Sequence, residues 1–175
     1  MMQFDRVKFK AMIHYIADAV PRAMLGKVRL NKILWFSDRE MYLQTGKTIS
    51  GETYLKYPQG PISENILTSC EELADERKIA VRKSRYFQHE QYEYISLQEP
   101  DIQAFTAQEI DIISRMILMV TSMSASEVSD FSHGRAWLTT EFGKEIPMFS
   151  VLAENTRELT PDDAGWIYKE MPPCQ

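Results

Sequence analysis

Residues 50–66 read SGETYLKYPQGPISENI, and they decide how this chain folds. The segment sets Gly51 and Gly60, Pro58 and Pro61, Tyr54 and Tyr57 between two helical patterns. A plain helix–helix connection has no use for that composition. Thr53 to Tyr57 has the character of a short strand. Gly60-Pro61 reads as a corner, with Pro61 or Ser63 starting the next helix, because proline suits a first helical position and serine an N-cap. Gly51 permits a tight entry into the segment.

Working outward, the preceding residues Leu30, Ile33, Leu34, Ser37 and Met41 repeat at helical spacing, with Gly46 placed as a C-terminal cap. Asp38, Arg39 and Glu40 fall largely off that stripe. An earlier helix carries Phe9, Met12, Ile13, Ile16, Ala17 and Val20 on one face, and Pro21 ends it. On the other side, Ile66, Leu67, Cys70, Leu73 and Ala74 line a third helix whose acidic side is Glu71, Glu72, Asp75 and Glu76. The runs IAVRKSRYF (79–87) and YEYISL (92–97), joined by a polar QHEQ, predict a β-hairpin. Thr106 with Glu109 and Ser124 with Glu127 are capping-box patterns, so two further helices follow, the first turning Ile110, Ile113, Ile117 and Val120 inward. Thr160-Pro161-Asp162-Asp163 is another helix start, leading to Trp166, Ile167 and Tyr168.

The expected fold class is α+β and mainly α-helical. It is a helical cluster with a short strand and a β-hairpin in a winged-helix-like order, followed by C-terminal helices. At 175 residues the chain reads as one domain, with 147–175 a variable C-terminal extension. A chain of this length buries roughly two-thirds of its unfolded surface without staples. Its net charge of −5 argues against bulk nucleic-acid or anionic-membrane binding and favours a basic protein partner. Two cysteines, Cys70 and Cys174, suggest a reducing compartment. The opening MMQFDRVKFK lacks a secretion signal's apolar run, and no stretch approaches 18 apolar residues, so a cytoplasmic, membrane-free protein is expected.

Residues capable of chemistry are sparse. His14, His89 and His133 sit at no metal-ligand spacing, so no metal and no cofactor is expected. The Gly46-Lys47-Thr48 tripeptide has Met41 where a phosphate loop needs glycine. Cys70 lies on an apolar face, unsuited to a reactive thiol. The expectation is a protein that is not an enzyme. Arg82, Lys83 and Arg85, with Tyr86, form a basic strand able to meet phosphates as a wing does, which keeps a DNA-binding regulator open as an alternative.

Residues 30–62, LNKILWFSDREMYLQTGKTISGETYLKYPQGPI, resemble the central signature of the Panacea domain, the family of SocA-like antitoxins and phage-associated proteins. The matching positions are Leu30, Lys32, Ile33, Leu34, Phe36, Ser37, Asp38, Gly46, Ile49, Gly51, Tyr54, Gly60 and Pro61. SHGRAW, residues 132–137, resembles the family's Ser-His…Trp element through His133 and Trp137. The resemblance covers roughly Phe9 to Ile146, and Pro58 departs from it by interrupting a strand-like segment. It implies an antitoxin of a toxin–antitoxin module, binding a cognate toxin directly, translation-blocking toxins included. It also implies a second route, an adaptor that delivers the toxin to a Clp-type protease. Either route makes a hetero-oligomer with the toxin, or a homo-oligomer, the relevant assembly.

A protein interface favours aromatic anchors with few charges at its centre. Tyr54, Tyr57, Tyr86, Tyr92 and Tyr94 are therefore the candidate contacts. Tyr54, which matches the family pattern, is expected to be structural, and Tyr57 beside Pro58 is the stronger contact candidate. Leu30, Lys32, Phe36, Asp38, Gly51, Gly60, Pro61, His133 and Trp137 are expected to hold the fold, with His133 and Trp137, four residues apart, stacking near a helix end.

Overall fold

The computed structural model describes residues 3–86 and 89–155, with the side chains of residues 84–91 and 155 outside that description. The expected helix start at Thr160, the tail around Trp166 and Cys174 also lie outside it. The order is α1 (Arg6–Ala19), α2 (Lys27–Thr45), β1 (Tyr54–Tyr57), β2 (Gly60–Ser63), α3 (Ile66–Asp75), β3 (Ile79–Tyr86), β4 (His89–Ser96), α4 (Ala107–Thr121), α5 (Ala125–Phe131) and α6 (Arg135–Thr139). Short 3-10 turns cover Ile102–Ala104 and Met148–Asn155. The chain is α+β and mainly helical, as its periodicity predicts. None of the described helices is long and apolar enough to cross a membrane.

Helix α2 is the axle. It packs against α1, α4, α5, β2, β4 and the 148–155 turn. Every residue from Leu30 to Asp38 is buried. That corrects the expectation for Asp38, which is fully buried rather than off the stripe. A helix enclosed on all sides has no solvent face to give its polar residues. Asn31, Lys32, Ser37 and Asp38 are thus drawn inside with the apolar ones.

The local signals in the sequence hold where they are strong. Asp5 caps α1 by accepting from the Lys8 N–H (2.9 Å), and the α1 stripe from Phe9 to Ala17 is buried. Gly46 closes α2 in the left-handed conformation. Both capping boxes form at the starts of α4 and α5. In α4 the buried face is Ile112, Ile113, Met116, Ile117 and Val120, so Ile110 sits at its margin rather than inside. In α3, Leu67 is 56% exposed, against expectation. Its place inward is taken by Ser69 beside Ile66, Cys70 and Leu73.

The opening segment folds differently from its turn signals. Gly60–Ser63 is not a helix start but a strand. It pairs antiparallel with β1, Tyr54 opposite Ser63 and Tyr57 opposite Gly60, leaving Pro58-Gln59 as a two-residue turn. Helix α3 begins only at Ile66, after Asn65. Pro61 fits the strand because it is in phase with Ser63. The Ser63 N–H points away from β1 to the Asn31 Oδ1 (3.0 Å), so the missing proline donor removes no ladder bond. The outer edge of β1 is covered as well. Lys56 N–H donates to Lys144 O (2.9 Å), Gly143 N–H to Lys56 O (2.9 Å) and Ile146 N–H to Tyr54 O (2.8 Å).

The second hairpin, β3 with β4, pairs Ile79 with Ser96 through Tyr86 with His89. Its strands run longer than expected, since residues 89–91 belong to β4. The two hairpins form separate two-stranded sheets.

Gly60 is the tightest point of the assembly. Its φ is +89°, and a Cβ there would collide with Ser132 Oγ and Lys32 Nζ. Gly46 is also left-handed, at φ +74°, but nothing lies within 4 Å of its Cβ position. Both substitutions to alanine carry a backbone cost of about 1–2 kcal/mol. Only Gly60→Ala adds overpacking of about 1–3 kcal/mol. Urea denaturation is expected to show Gly60→Ala destabilised by about 2–5 kcal/mol and Gly46→Ala by less than half of that.

Candidate protein-binding surface

The first hairpin is held on α2 by buried polar groups rather than by apolar packing alone. Asp38 is the principal anchor. Its Oδ1 accepts from the N–H groups of Ile49 (2.8 Å) and Ser50 (3.0 Å), and its Oδ2 from Ser50 Oγ (2.7 Å) and Tyr54 Oη (2.8 Å). Burial outweighs these bonds and lifts the Asp38 pKa above the usual carboxylate range. Tyr54 is pushed well above its ordinary value by burial and then by Asp38. Its ring stands edge-on to Trp35 at 5.1 Å.

Lys32 and Asn31 hold β2 from about two turns earlier in α2. Lys32 is fully buried, and its Nζ donates to Pro61 O (3.1 Å). Burial lowers its pKa to about 7. Glu52 closes the far side. Its Oε1 accepts from Thr53 N–H (2.9 Å) and Asn65 Nδ2 (3.1 Å), while Oε2 is buried without a partner. Burial raises the Glu52 pKa to about 7. Leu30 and Phe36 are plain core residues, and Gly51 at φ +68° lies against the backbone of Gln3.

This anchoring fixes what the hairpin shows to solvent. Trp137 Nε1 donates to Tyr57 O (3.1 Å), and His133 stacks on Trp137 with ring centroids 3.9 Å apart. Lys56 Nζ lies 4.3 Å from the Trp137 ring centroid and donates to Thr140 O (2.8 Å). Phe142, 65% exposed, meets Tyr57 edge-on at 5.6 Å. The result is a ridge of Tyr57, Trp137 and Phe142 with one cation on it.

Beside the ridge runs a groove of about 430 Å³, lined by Lys27, Val28, Leu55, Tyr57, Ile62 and Leu67 among others. Lys27 also approaches the Tyr92 ring, at 5.9 Å from its centroid. Tyr57 lines the groove, whereas Tyr92 is not among its walls and lies near it only through Lys27.

Of the five candidate tyrosines, the structure brings these two to the surface. Tyr57 is 38% exposed and Tyr92 is half-buried. Tyr54 and Tyr94 are both buried in the core and unavailable for direct contact, which fits the structural role expected of Tyr54 and corrects the contact expected of Tyr94. Tyr54 points inward to Asp38. The Tyr86 side chain lies outside the described residues, as does that of Arg85.

Arg82 and Lys83 are exposed, but Arg82 stands opposite Glu93 in the ladder, and Lys83 Nζ lies 5.7 Å from the Tyr92 ring centroid. The basic strand is thus interleaved with acidic and aromatic partners. Periodicity alone missed Leu67 and Phe142, whose exposure depends on where the first hairpin docks. Among the described residues no group of three His, Cys, Asp or Glu side chains is placed to hold a metal ion. Burial pushes the Cys70 thiol up to about 12, so it is no nucleophile at neutral pH.

Comparison with known families matches residues 30–138 to the antitoxin SocA-like, Panacea domain. No curated protein and no solved structure matches the chain. The matched span holds the anchoring network, Tyr57 and Trp137 of the ridge, and the groove's walls apart from Lys27 and Val28.

Lys32 and Glu52 give stability a specific pH dependence. Between pH 4.5 and about 7, folded Glu52 keeps a proton that the unfolded chain has released, so its contribution falls as pH rises. Between about pH 7 and 10.5, folded Lys32 has shed a proton that the unfolded chain still holds, so its contribution rises with pH. Together they place a minimum near neutrality. Urea midpoints across pH 4–10 are expected to lose the lower limb in Glu52→Gln and the upper limb in Lys32→Met. Unchanged slopes in both variants would refute the assignment.

Proposed function

This chain belongs to the SocA-like antitoxin family, and we propose that it neutralises a cognate toxin by binding it directly at the groove between α2, the first hairpin and α3. We read it as a binding protein rather than a catalyst. The observation that carries this reading is the groove itself: a largely apolar channel walled by Leu55, Tyr57, Ile62 and Leu67, continuous with the Tyr57–Trp137–Phe142 ridge, and anchored from behind by Asp38 and Lys32.

The physical argument is preorganisation. An interface loses affinity when loops and side chains must be ordered on binding. Here the Tyr57 carbonyl is held by Trp137, and the segment beneath it is held by buried hydrogen bonds, so that ordering is complete beforehand. Exposed Leu67 and Phe142 supply apolar area that the isolated chain leaves in water. Lys27 and Lys56 add charge beside it for steering and register.

The test is co-expression with the protein encoded beside this chain. Growth arrest by that neighbour, relieved by this chain with formation of an isolable complex, is the expected outcome. Tyr57→Ala and Leu67→Asp are each expected to weaken the complex by about 2 kcal/mol or more, roughly 30-fold in Kd, without a change in melting temperature. Arg82→Ala with Lys83→Ala, far along β3, is expected to change Kd by less than about threefold. A harmless neighbour, or rescue that survives Leu67→Asp, counts against this surface.

A further inference from the structure

A second recess lies two turns further along α2, with walls that share no residue with the groove. Residues 148–155 form a strap that is pinned by the fully buried Val151 and turns Glu154 inward. Arg39 grips that carboxylate: its Nε donates to Oε2 at 2.8 Å and its Nη2 lies 2.6 Å from the same oxygen. The Ala136 N–H reaches Oε1 at 3.3 Å. The carboxylate approaches so closely that a Cβ on Gly134 would collide with it.

The recess is larger than the group that occupies it. With Glu154 in place, a cavity of about 310 Å³ remains, lined by Trp35, Phe36, Phe131, Arg39 and Arg135 among others. Its donors outnumber its acceptors. Arg39 and Arg135 both line it, and Arg135 forms no ion pair among the described residues. Phe131, 58% exposed and 5.5 Å from Phe36 between ring centroids, makes an apolar shelf beside the arginines. The walls, from Trp35 to Arg135, lie within the family-matched span 30–138, whereas Glu154 comes from beyond it.

We propose that this cavity recognises the carboxylate of an acidic residue in a peptide segment, flanked by an apolar side chain, and that Glu154 is a resident, displaceable stand-in for it. The fork of Arg39 sets the carboxylate plane, Arg135 adds the second charge, and the Phe36–Phe131 shelf takes the neighbouring apolar group. The site is independent of the groove, so its loss and the loss of toxin binding at Tyr57 are separable.

The test uses the full chain, labelled with ¹⁵N. The probes are the capped peptide SVLAEN, the sequence of residues 150–155, its glutamine counterpart SVLAQN, and succinate. The readout is the Trp35 indole N–H resonance, identified by its disappearance in Trp35→Phe. SVLAEN is expected to shift that resonance in Glu154→Gln and to bind about tenfold or more tighter than to the unaltered chain, because the competitor's charge is gone. SVLAQN is expected to bind about tenfold more weakly than SVLAEN, and Arg39→Met in the Glu154→Gln background to abolish the shift. Equal binding of the two peptides, no shift with either, or a shift that survives Arg39→Met overturns the proposal. Succinate binding as well as SVLAEN would overturn the peptide assignment in favour of a free small carboxylate. Should Glu154→Gln fail to fold, Glu154→Ala, which also removes the competing carboxylate, is titrated in its place against the same outcomes.

Discussion

A buried carboxylate organises this protein. Asp38 sits inside a helix that is enclosed on every side, where an unpartnered charge is untenable. It is satisfied only if the chain returns, eleven to sixteen residues later, to present the N–H groups of Ile49 and Ser50 and the hydroxyls of Ser50 and Tyr54. The first hairpin is therefore not merely packed against α2 but required there. Once Tyr54 is fixed inward, the alternation of the strand and the Pro58-Gln59 turn leave Tyr57 facing out. Lys32 and Asn31 repeat the arrangement for β2 through Pro61 O and the Ser63 N–H. Buried polar groups of this kind favour one arrangement over others more than they add net stability.

That specificity serves a surface. Tyr57, Trp137 and Phe142 meet because three distant segments converge on β1: the turn itself, α6 and the strand-like stretch at residues 143–146. None of these segments is long enough to be stable alone. Their order derives from hydrogen bonds whose other ends lie in the core, so the ridge inherits the rigidity of α2.

The parts of this fold visible in the sequence are those whose causes are local. The α1 stripe, the Gly46 cap, both capping boxes and the second hairpin each depend on partners within one period or one turn. The resemblance marks Asp38 as structural, but its burial was not legible from periodicity, because its four donors lie beyond any helical period and a carboxylate beside Arg39 and Glu40 reads as solvated. Gly60-Pro61 misled for a related reason. Its helix-start signal is genuine, but pairing with β1 and the approach of Lys32 and Ser132 outweigh a propensity of modest size. Among the tyrosines, residue type alone could not separate contact from core. Tyr92 and Tyr94 share one face of β4, yet only Tyr94 lies deep enough to be covered. Glu154 and its recess were invisible, since Arg39, Gly134 and Glu154 are brought together only by the finished fold.

The double coverage of the first hairpin has a consequence for how it can be recognised. The outer edge of β1 is bonded to residues 143–146, and β2 spends its outward groups on Asn31 and Lys32. No row of free main-chain donors and acceptors is left to template another strand, so neither strand addition by a partner nor edge-to-edge aggregation has a foothold there. Recognition at this hairpin must be written in side chains alone. Positions 57 and 59 can then change their side chains without disturbing a main-chain bond that holds the scaffold.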